Sequence, residues 1–304
     1  MQTCDVLIVG AGIAGASAAY EIAPFAKVIL LERESQPGYH TTGRSAALFA
    51  PAYGNRVIRA LTAASQPFYR EHAGGLIDHP VLTPRGALFV GRADQRATLD
   101  VLHGEIGAEV RDLERLDRDQ TLAHVPVLDP EYVDRGLYDP TSMDLDVAAI
   151  HQGYLKGFRA RGGTVVAAAE VGAISVDAAP WRVETRAGRF EAAVLVDAGG
   201  AWADQLATMA GVAPLGLVPK RRTAVLFEPS TMPDPAWPAV IDADEQFYFK
   251  PESGLLLGSP ADETPMPPCD VQPEELDIAL AVDRIERAAA FQVRRVPRKW
   301  AGLR

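Results

Sequence analysis

Apolar and polar positions change period twice in the opening stretch of the chain. The apolar run Val6 to Val9 stops at Gly10. Ile13, Ala14, Ala18 and Ile22 then recur at helical spacing as far as Pro24, and a second apolar run, Val28 to Leu31, stops at the acid Glu32. An unbroken run, a 3.6 period and another unbroken run predict strand, helix, strand. Farther on, Ile58 to Tyr69 carries an amphipathic helical pattern that Gly74-Gly75 stops, a strand falls within Val81 to Val90 after the breaker Pro84, and Ala97 to Ile106 is helical. Leu116 to Val125 has helix spacing cut by Pro126, Asp139-Pro140-Thr141 is a turn, and Leu145 to Ala160 is a helix closed by Gly162-Gly163. Short strands are expected at Thr164–Ala168, Ala173–Asp177, Trp181–Thr185 and Arg189–Glu191, with a hairpin turn at Gly188. A further apolar strand, Ala193 to Val196, runs into the small residues Asp197-Ala198-Gly199-Gly200-Ala201-Trp202 and a helix from Ala203 to Ala210.

The pattern changes character at Leu215. Four prolines lie between Pro229 and Pro238 and four between Pro260 and Pro268. Between them, Gln246–Lys250 and Leu255–Gly258 are joined by Pro251-Glu252-Ser253-Gly254, a β-hairpin in sequence form. Alternation puts Phe247 and Phe249 on one face of its first strand, and Gln246, Tyr248 and Lys250 on the other. Pro273-Glu274-Glu275 opens a helix with proline and acids in its first turn, running to about Phe291, and Val293 to Arg304 is a last strand.

Composition narrows the function. With 304 residues the chain can hold two domains. A net charge of −10, from 30 basic and 40 acidic residues, disfavours nucleic acid as a partner, because phosphate contacts need a basic surface. Cys4 and Cys269 are far apart and form neither a disulfide framework nor a metal-ligand cluster, so a reducing, cytoplasmic setting is expected. The N-terminus lacks a basic leader pattern and is interrupted by Asp5. The longest apolar window, Val6 to Ala19, is broken by glycines and too short to span a bilayer, so no transmembrane segment is expected.

The opening strand-helix-strand carries the chemistry. Gly10 turns the chain sharply out of the strand. Gly12 lets a pyrophosphate approach the backbone, and Gly15 with Ala19 lets the helix pack closely on the strands. The N–H groups of Ile13 and Ala14 lie at the helix N-terminus, where phosphate binds. Glu32 stands at the distance from the glycines where an acid accepts a ribose diol and repels a 2′-phosphate. With its strand and helix in place, the G-x-G-x-x-G is a dinucleotide fingerprint. His40 to Asn55 holds Thr41, Thr42, Gly43, Arg44 and Ser45, with Ser45-Ala46-Ala47 expected to open a helix. On the residues alone this segment is either a polar turn with a helix cap or a set of donors for phosphate and flavin. Arg222, in Lys220-Arg221-Arg222, is likewise either part of a solvated charge run or an anion fork.

With these stretches in view, the chain resembles the D-amino-acid oxidase-like FAD-dependent oxidoreductases, and within them the bacterial D-arginine dehydrogenases. The resemblance covers the whole chain and is specific at GYHTTGRSAA (38–47), DPTSMDLD (139–146), HQGYLKG (151–157), LVPKRR (217–222), LLLGSPA (255–261), VQPEELDIA (271–279) and WAGLR (300–304). It implies an α/β fold: a Rossmann-like FAD-binding domain with a parallel sheet and helices, from residues 1–75 and 140–213. A substrate domain with an antiparallel or mixed β-sheet would come from 76–139 and 214–304. It implies that Gly10, Gly12, Ile13, Ala14, Gly15 and Glu32 hold the ADP half of FAD. Arg33, Thr41, Thr42, Arg44, Ser45 and Ala46 would reach ribose, pyrophosphate or flavin. Val171 would meet adenine through its backbone, and Ala198, Gly200 and Trp202 would lie beside the cofactor. Arg222, Tyr248 and Arg304 match positions that hold a substrate carboxylate, and Tyr53 matches a lid tyrosine.

The activity so implied is FAD-dependent oxidative deamination of a D-amino acid. The Cα hydride passes to flavin N5, and the imino acid then hydrolyses to a 2-oxo acid and ammonia. No metal is implied, and the electron acceptor, oxygen or a quinone-linked partner, stays open. An N-methyl amino acid or a 2-hydroxy acid is the alternative substrate, and a non-catalytic fragment is the alternative from another class. Two departures concern specificity: Ala87 and Leu48 stand where the D-arginine dehydrogenases carry a glutamate and a histidine. The resemblance also leads to the expectation that the chain is truncated at Arg304, before a glycine-rich stretch that completes the flavin site.

Overall fold

The computed structural model describes all residues except Ala108, Arg111 and 176–179. Two large sheets organise the chain. The first has six strands, in the order Val171–Ser175, Trp181–Thr185, Gly188–Asp197, Gln2–Val9, Val28–Leu31, Thr164–Val166. The last four run parallel, and the first two add an antiparallel edge. Strands buried on both faces read as continuous apolar runs, which is why Val28–Leu31 is fully buried. On one face, Val6, Ile8, Val28 and Leu30 pack against Ala16 and Ala19 of the helix Ile13–Ile22 and against Ile150, Tyr154 and Phe158 of the helix Val147–Ala160. Leu7, Val9, Ile29 and Leu31 face the other way, onto Ile174, Val183 and Phe190.

The second sheet has nine strands and is antiparallel except where Ala239–Asp242 runs parallel to Ala87–Gly91. Toward one edge of the sheet, the long strand Lys220–Pro229 is flanked by Leu255–Ser259 on one side and by the edge strand Val293–Leu303 on the other. The period of two sorts its residues. Val225, Phe227, Val240, Phe249, Leu88 and Val90 form a core under the helix Glu275–Ala288. Their alternates Arg222, Ala224, Ile241, Tyr248, Lys250 and Phe89 point into a cavity on the opposite face.

Four local expectations are corrected. Ser45-Ala46-Ala47 does not open a helix: a single 3-10 turn, Thr41–Arg44, ends there, and Leu48–Phe49 is a short strand against Met143–Leu145. The cause is tertiary. The Thr41 hydroxyl donates to Leu303 O (2.6 Å), Arg44 Nη1 donates to Ala301 O (3.1 Å), and Trp300 Nε1–H donates to Arg44 O (2.9 Å), so the last strand holds the segment. The helical stretch from Leu116 begins instead as the strand Glu114–Asp117, and its helix is Arg118–His124, started by an Asp117–Gln120 capping box. Leu145 belongs to a strand, so the next helix begins at Val147. Residues 189–191 and 193–196 are one strand, Gly188–Asp197. The end of the strand expected at Ala173–Asp177 lies outside the described residues.

Candidate functional site

Two adjoining cavities lie between the sheets, of about 510 and 650 Å³, and Thr41, Leu303 and Arg304 wall both.

The first is lined largely by backbone. Gly10 leaves the opening strand with φ +104°, and a Cβ there would sit 2.3 Å from Ala198 O. A Cβ on Gly15 would sit 1.8 Å from Gly10 O, so only glycine lets the helix come this close to the strands. Gly12, Ile13, Ala14, Arg33, Thr42, Val171, Ala198, Gly200 and Trp202 line the space, and Gly15 lies behind it. Glu32 is buried (7 % exposed). Its Oε2 accepts the Ala11 N–H (3.0 Å) and its Oε1 the Glu34 N–H (3.0 Å), which leaves each oxygen a further acceptor site toward the cavity. The Thr42 hydroxyl accepts the Ile13 N–H (3.0 Å), tying the polar segment to the helix N-terminus. Arg33 stacks over Trp202 at 4.6 Å and pairs with Glu170 (2.9 Å). The His40 ring lies 4.6 Å from that of Trp202, and its Nε2 lies 2.9 Å from Glu34 Oε1.

The second cavity is made by side chains from distant segments. Arg44, Ser45 and Ala46 line this one, so they are set apart from the glycine turn. The Arg44 guanidinium is turned toward Val271 O (2.9 Å), Ala301 O and Asp270, where it holds loops together. Arg222 Nη2 donates to Glu263 Oε1 (3.0 Å), while its Nε is buried with no hydrogen-bond partner among the described residues. Tyr248 lies on the same face, and burial pushes its phenol above the usual tyrosine range. Tyr53 is exposed at the rim, and Arg304 stacks on its ring at 5.8 Å. One face of the helix Arg56–Arg70, through Ile58, Leu61, Thr62, Ser65 and Tyr69, closes a side. The spacing of those five marks the helix as amphipathic in the sequence, but it does not say that this face walls a cavity. Leu48 lines the cavity, but Ala87 is buried in its strand and does not; Phe89, two residues on, does. Arg221 is no solvated charge: its side chain is 4 % exposed and pairs with Asp277 (2.8 Å), Asp262 and Glu274.

A glycine-floored trough with an acid at the second strand, opening onto an arginine-bearing chamber, defines a dinucleotide-dependent oxidoreductase. The chain belongs to the DAO family of FAD dependent oxidoreductases, whose family model matches residues 5–304. An L-2-hydroxyglutarate dehydrogenase of Salmonella houtenae is 28% identical over 258 residues, covering 77% of this chain and 59% of that protein. The chain thus spans 59% of the length of that curated relative. Among solved structures, the FAD-bound L-alpha-glycerophosphate oxidase of Mycoplasma pneumoniae superposes with a TM-score of 0.87 at 20% identity, over 100% of this chain and 83% of that one. Glycine oxidase of Geobacillus kaustophilus does so with a TM-score of 0.83 at 20% identity, over 100% and 83%. At such identities the superpositions establish the fold: a Rossmann-like FAD-binding part and a mixed-sheet part. FAD is the cofactor, and the first cavity fits its ADP half, with bare backbone for a pyrophosphate at a helix N-terminus and the Glu32 carboxylate for a ribose. No helix among the described residues is long and apolar enough to cross a membrane.

Proposed function

We propose that the protein oxidises a D-amino acid whose side chain is neutral or apolar, with residues 1–75 and 140–213 as the FAD-binding domain and residues 76–139 and 214–304 as the substrate domain, the chamber being walled by the second together with Leu48, Tyr53 and the helix Arg56–Arg70 of the first. The observation that carries this reading is the Arg222 guanidinium: it lines the chamber beside Tyr248 and Arg304, with a buried N–H that has no hydrogen-bond partner among the described residues. A planar fork with unused donors suits a carboxylate, and a phenol adds a third direction of contact. Tyr53 at the rim covers the carboxylate end. Ile58, Leu61, Phe89, Ile241 and Leu48 give the chamber an apolar wall, while Glu245, the one acid in the described lining, is exposed. Bound FAD supplies the two-electron acceptor for the Cα–H bond. The chain's part is to hold the carboxylate, aim Cα and exclude water.

The curated relative is a 2-hydroxy acid dehydrogenase by name, which makes the 2-hydroxy acid the second reading. An alcohol gives up its proton only to a base, whereas an amine can enter already neutral. The described lining holds no histidine, its lysine, Lys250, is bound to Asp144 at 2.6 Å, and its one acid, Glu245, is exposed to solvent. That favours the amine. Flavin bleaching under anaerobic conditions decides between the two. D-leucine and D-methionine should bleach the purified protein at lower concentration than D-arginine, by roughly tenfold or more for one unpaired charge in an apolar wall. Bleaching by L-2-hydroxyglutarate but by no amino acid would sink the amine reading, and a preference for D-arginine would sink the apolar one.

A further inference from the structure

Three cations crowd one corner of the nine-stranded sheet. Lys220 and Arg304 exchange both backbone hydrogen bonds, at 2.8 Å each, so they are direct cross-strand neighbours. Arg222 is two residues along from Lys220, on the same face of its strand. Like charges placed this way repel and splay apart. Among the described residues, one carboxylate pairs with all three. Glu263 Oε2 accepts from Lys220 Nζ at 2.7 Å, and Oε1 accepts from Arg222 Nη2 at 3.0 Å and lies 3.6 Å from Arg304 Nη1. The hydrogen bond from Lys220, then the fields of Lys220, Arg304 and Arg222, hold the Glu263 carboxyl below its usual range, so it is charged at neutral pH. Arg222, Arg304 and Ala261 line the chamber and Glu263 does not; it reaches the two guanidiniums from behind the wall. The loop that delivers it is fixed. Ala261 takes the left-handed conformation (φ +53°), and the Asp262 carboxylate accepts the Thr223 N–H at 2.6 Å and its hydroxyl at 3.0 Å.

We propose that Glu263 is the positioning residue of the carboxylate clamp: one oxygen shared between Arg222 and Arg304 draws two guanidiniums from neighbouring strands into a single fork. The inference rests on the carboxylate-binding reading of Arg222. Glu263 touches neither substrate nor cofactor, so its effect is on ligand affinity through the arginines. A carboxylate that merely competed with substrate would have the opposite effect, since its removal would free the arginines and tighten binding.

The test uses the flavin-loaded protein and a non-reacting monocarboxylate, isobutyrate, with its neutral amide as control; binding is followed by the perturbation of the flavin absorption band. Glu263→Ala should weaken isobutyrate about tenfold, and Glu263→Gln, which keeps the acceptor but not the charge, about threefold. Neither should change binding of the amide or the flavin-to-protein ratio. The Gln variant keeps the shape of the side chain, so it reads the effect even where the Ala variant folds poorly. Unchanged or tighter isobutyrate binding in both variants overturns the proposal. Arg222→Ala is measured alongside: if it leaves isobutyrate affinity intact, the clamp reading itself fails, whereas a loss there with no change at Glu263 removes Glu263 alone.

Discussion

The two cavities are built from different materials. The cofactor cavity is made by backbone: Gly10, Gly12 and Ala198 at the ends of parallel strands, a helix N-terminus, and one buried acid whose oxygens are already anchored by the Ala11 and Glu34 N–H groups. The second cavity, the proposed substrate chamber, is made by side chains from several strands and one helix, with its cations set by ion pairs. A backbone site tolerates almost no change of shape and wide change of neighbouring chemistry. A side-chain site tolerates changes of shape but not loss of a charge. On the proposed reading, the first cavity serves as the cofactor platform and the second sets the substrate.

The sharpest way to break the backbone half is to add atoms where none fit. Gly15→Val puts a Cβ 1.8 Å from the Gly10 carbonyl oxygen, with the Ala198 Cβ 3.3 Å away. Nothing flexible can yield, so the helix must leave the strands. The expected loss is several kcal/mol, on the order of the largest single-residue effects, together with the flavin. Gly200 lies in the same cavity with φ +56° and open space where a Cβ would go. Gly200→Ala should therefore cost only ~1–2 kcal/mol of left-handed strain and retain the flavin. Thermal denaturation and the flavin-to-protein ratio separate the two; equal losses would show that the close approach at Gly15 is not what builds the cavity.

For the side-chain half the next largest effect is charge removal. Arg222→Ala should lower kcat/KM by ~10²-fold or more, from ~1.5–3 kcal/mol per charged hydrogen bond, while leaving the flavin-to-protein ratio at the wild-type value. Arg222→Lys should not restore activity fully, because an ammonium lacks the planar fork. A variant within twofold of wild type would make Arg222 a wall residue only, and a variant without flavin would make the two halves one unit.

This division also explains what was legible in the sequence. Gly10, Gly12, Gly15 and Glu32 are encoded by local rules, since turn, close packing and acid position all fall within one strand-helix-strand unit. The hairpin around Ser253-Gly254 and the facing of Tyr248 and Lys250 followed from alternation for the same reason. The segment Thr41–Arg44 was misread beyond Ser45 because its conformation is dictated by Leu303, Ala301 and Trp300, more than two hundred residues away. Lys220-Arg221-Arg222 was ambiguous because a charge run does not say which side of a strand is covered: Arg221 turns to Asp277 and Asp262, Arg222 to the chamber. Glu263 carried no local signal, since its role comes from three cations gathered by strand pairing. The Asp117–Gln120 capping box, by contrast, was present in the sequence and marks the start of the helix at Arg118.

The smallest effect tests whether the chamber acts through its phenol. Tyr248 offers one neutral donor beside Arg222, so Tyr248→Phe should lower kcat/KM roughly tenfold, ~1.4 kcal/mol, well short of the loss at Arg222. Its titration gives a second handle. Burial raises the folded-state value above the unfolded one, about 10 for tyrosine, so the phenol stays protonated and keeps donating through the alkaline range. The sign for stability follows: this contribution is fully present below the unfolded value and is lost as pH rises through the higher folded value. Isobutyrate affinity in the wild type should therefore stay level up to about pH 10 and fall only above it, and the Phe variant should lack that alkaline fall. An affinity loss centred below pH 10 that vanishes in the Phe variant would show an exposed, ordinary phenol. The same loss in both proteins would assign it to another group and leave Tyr248 as packing alone.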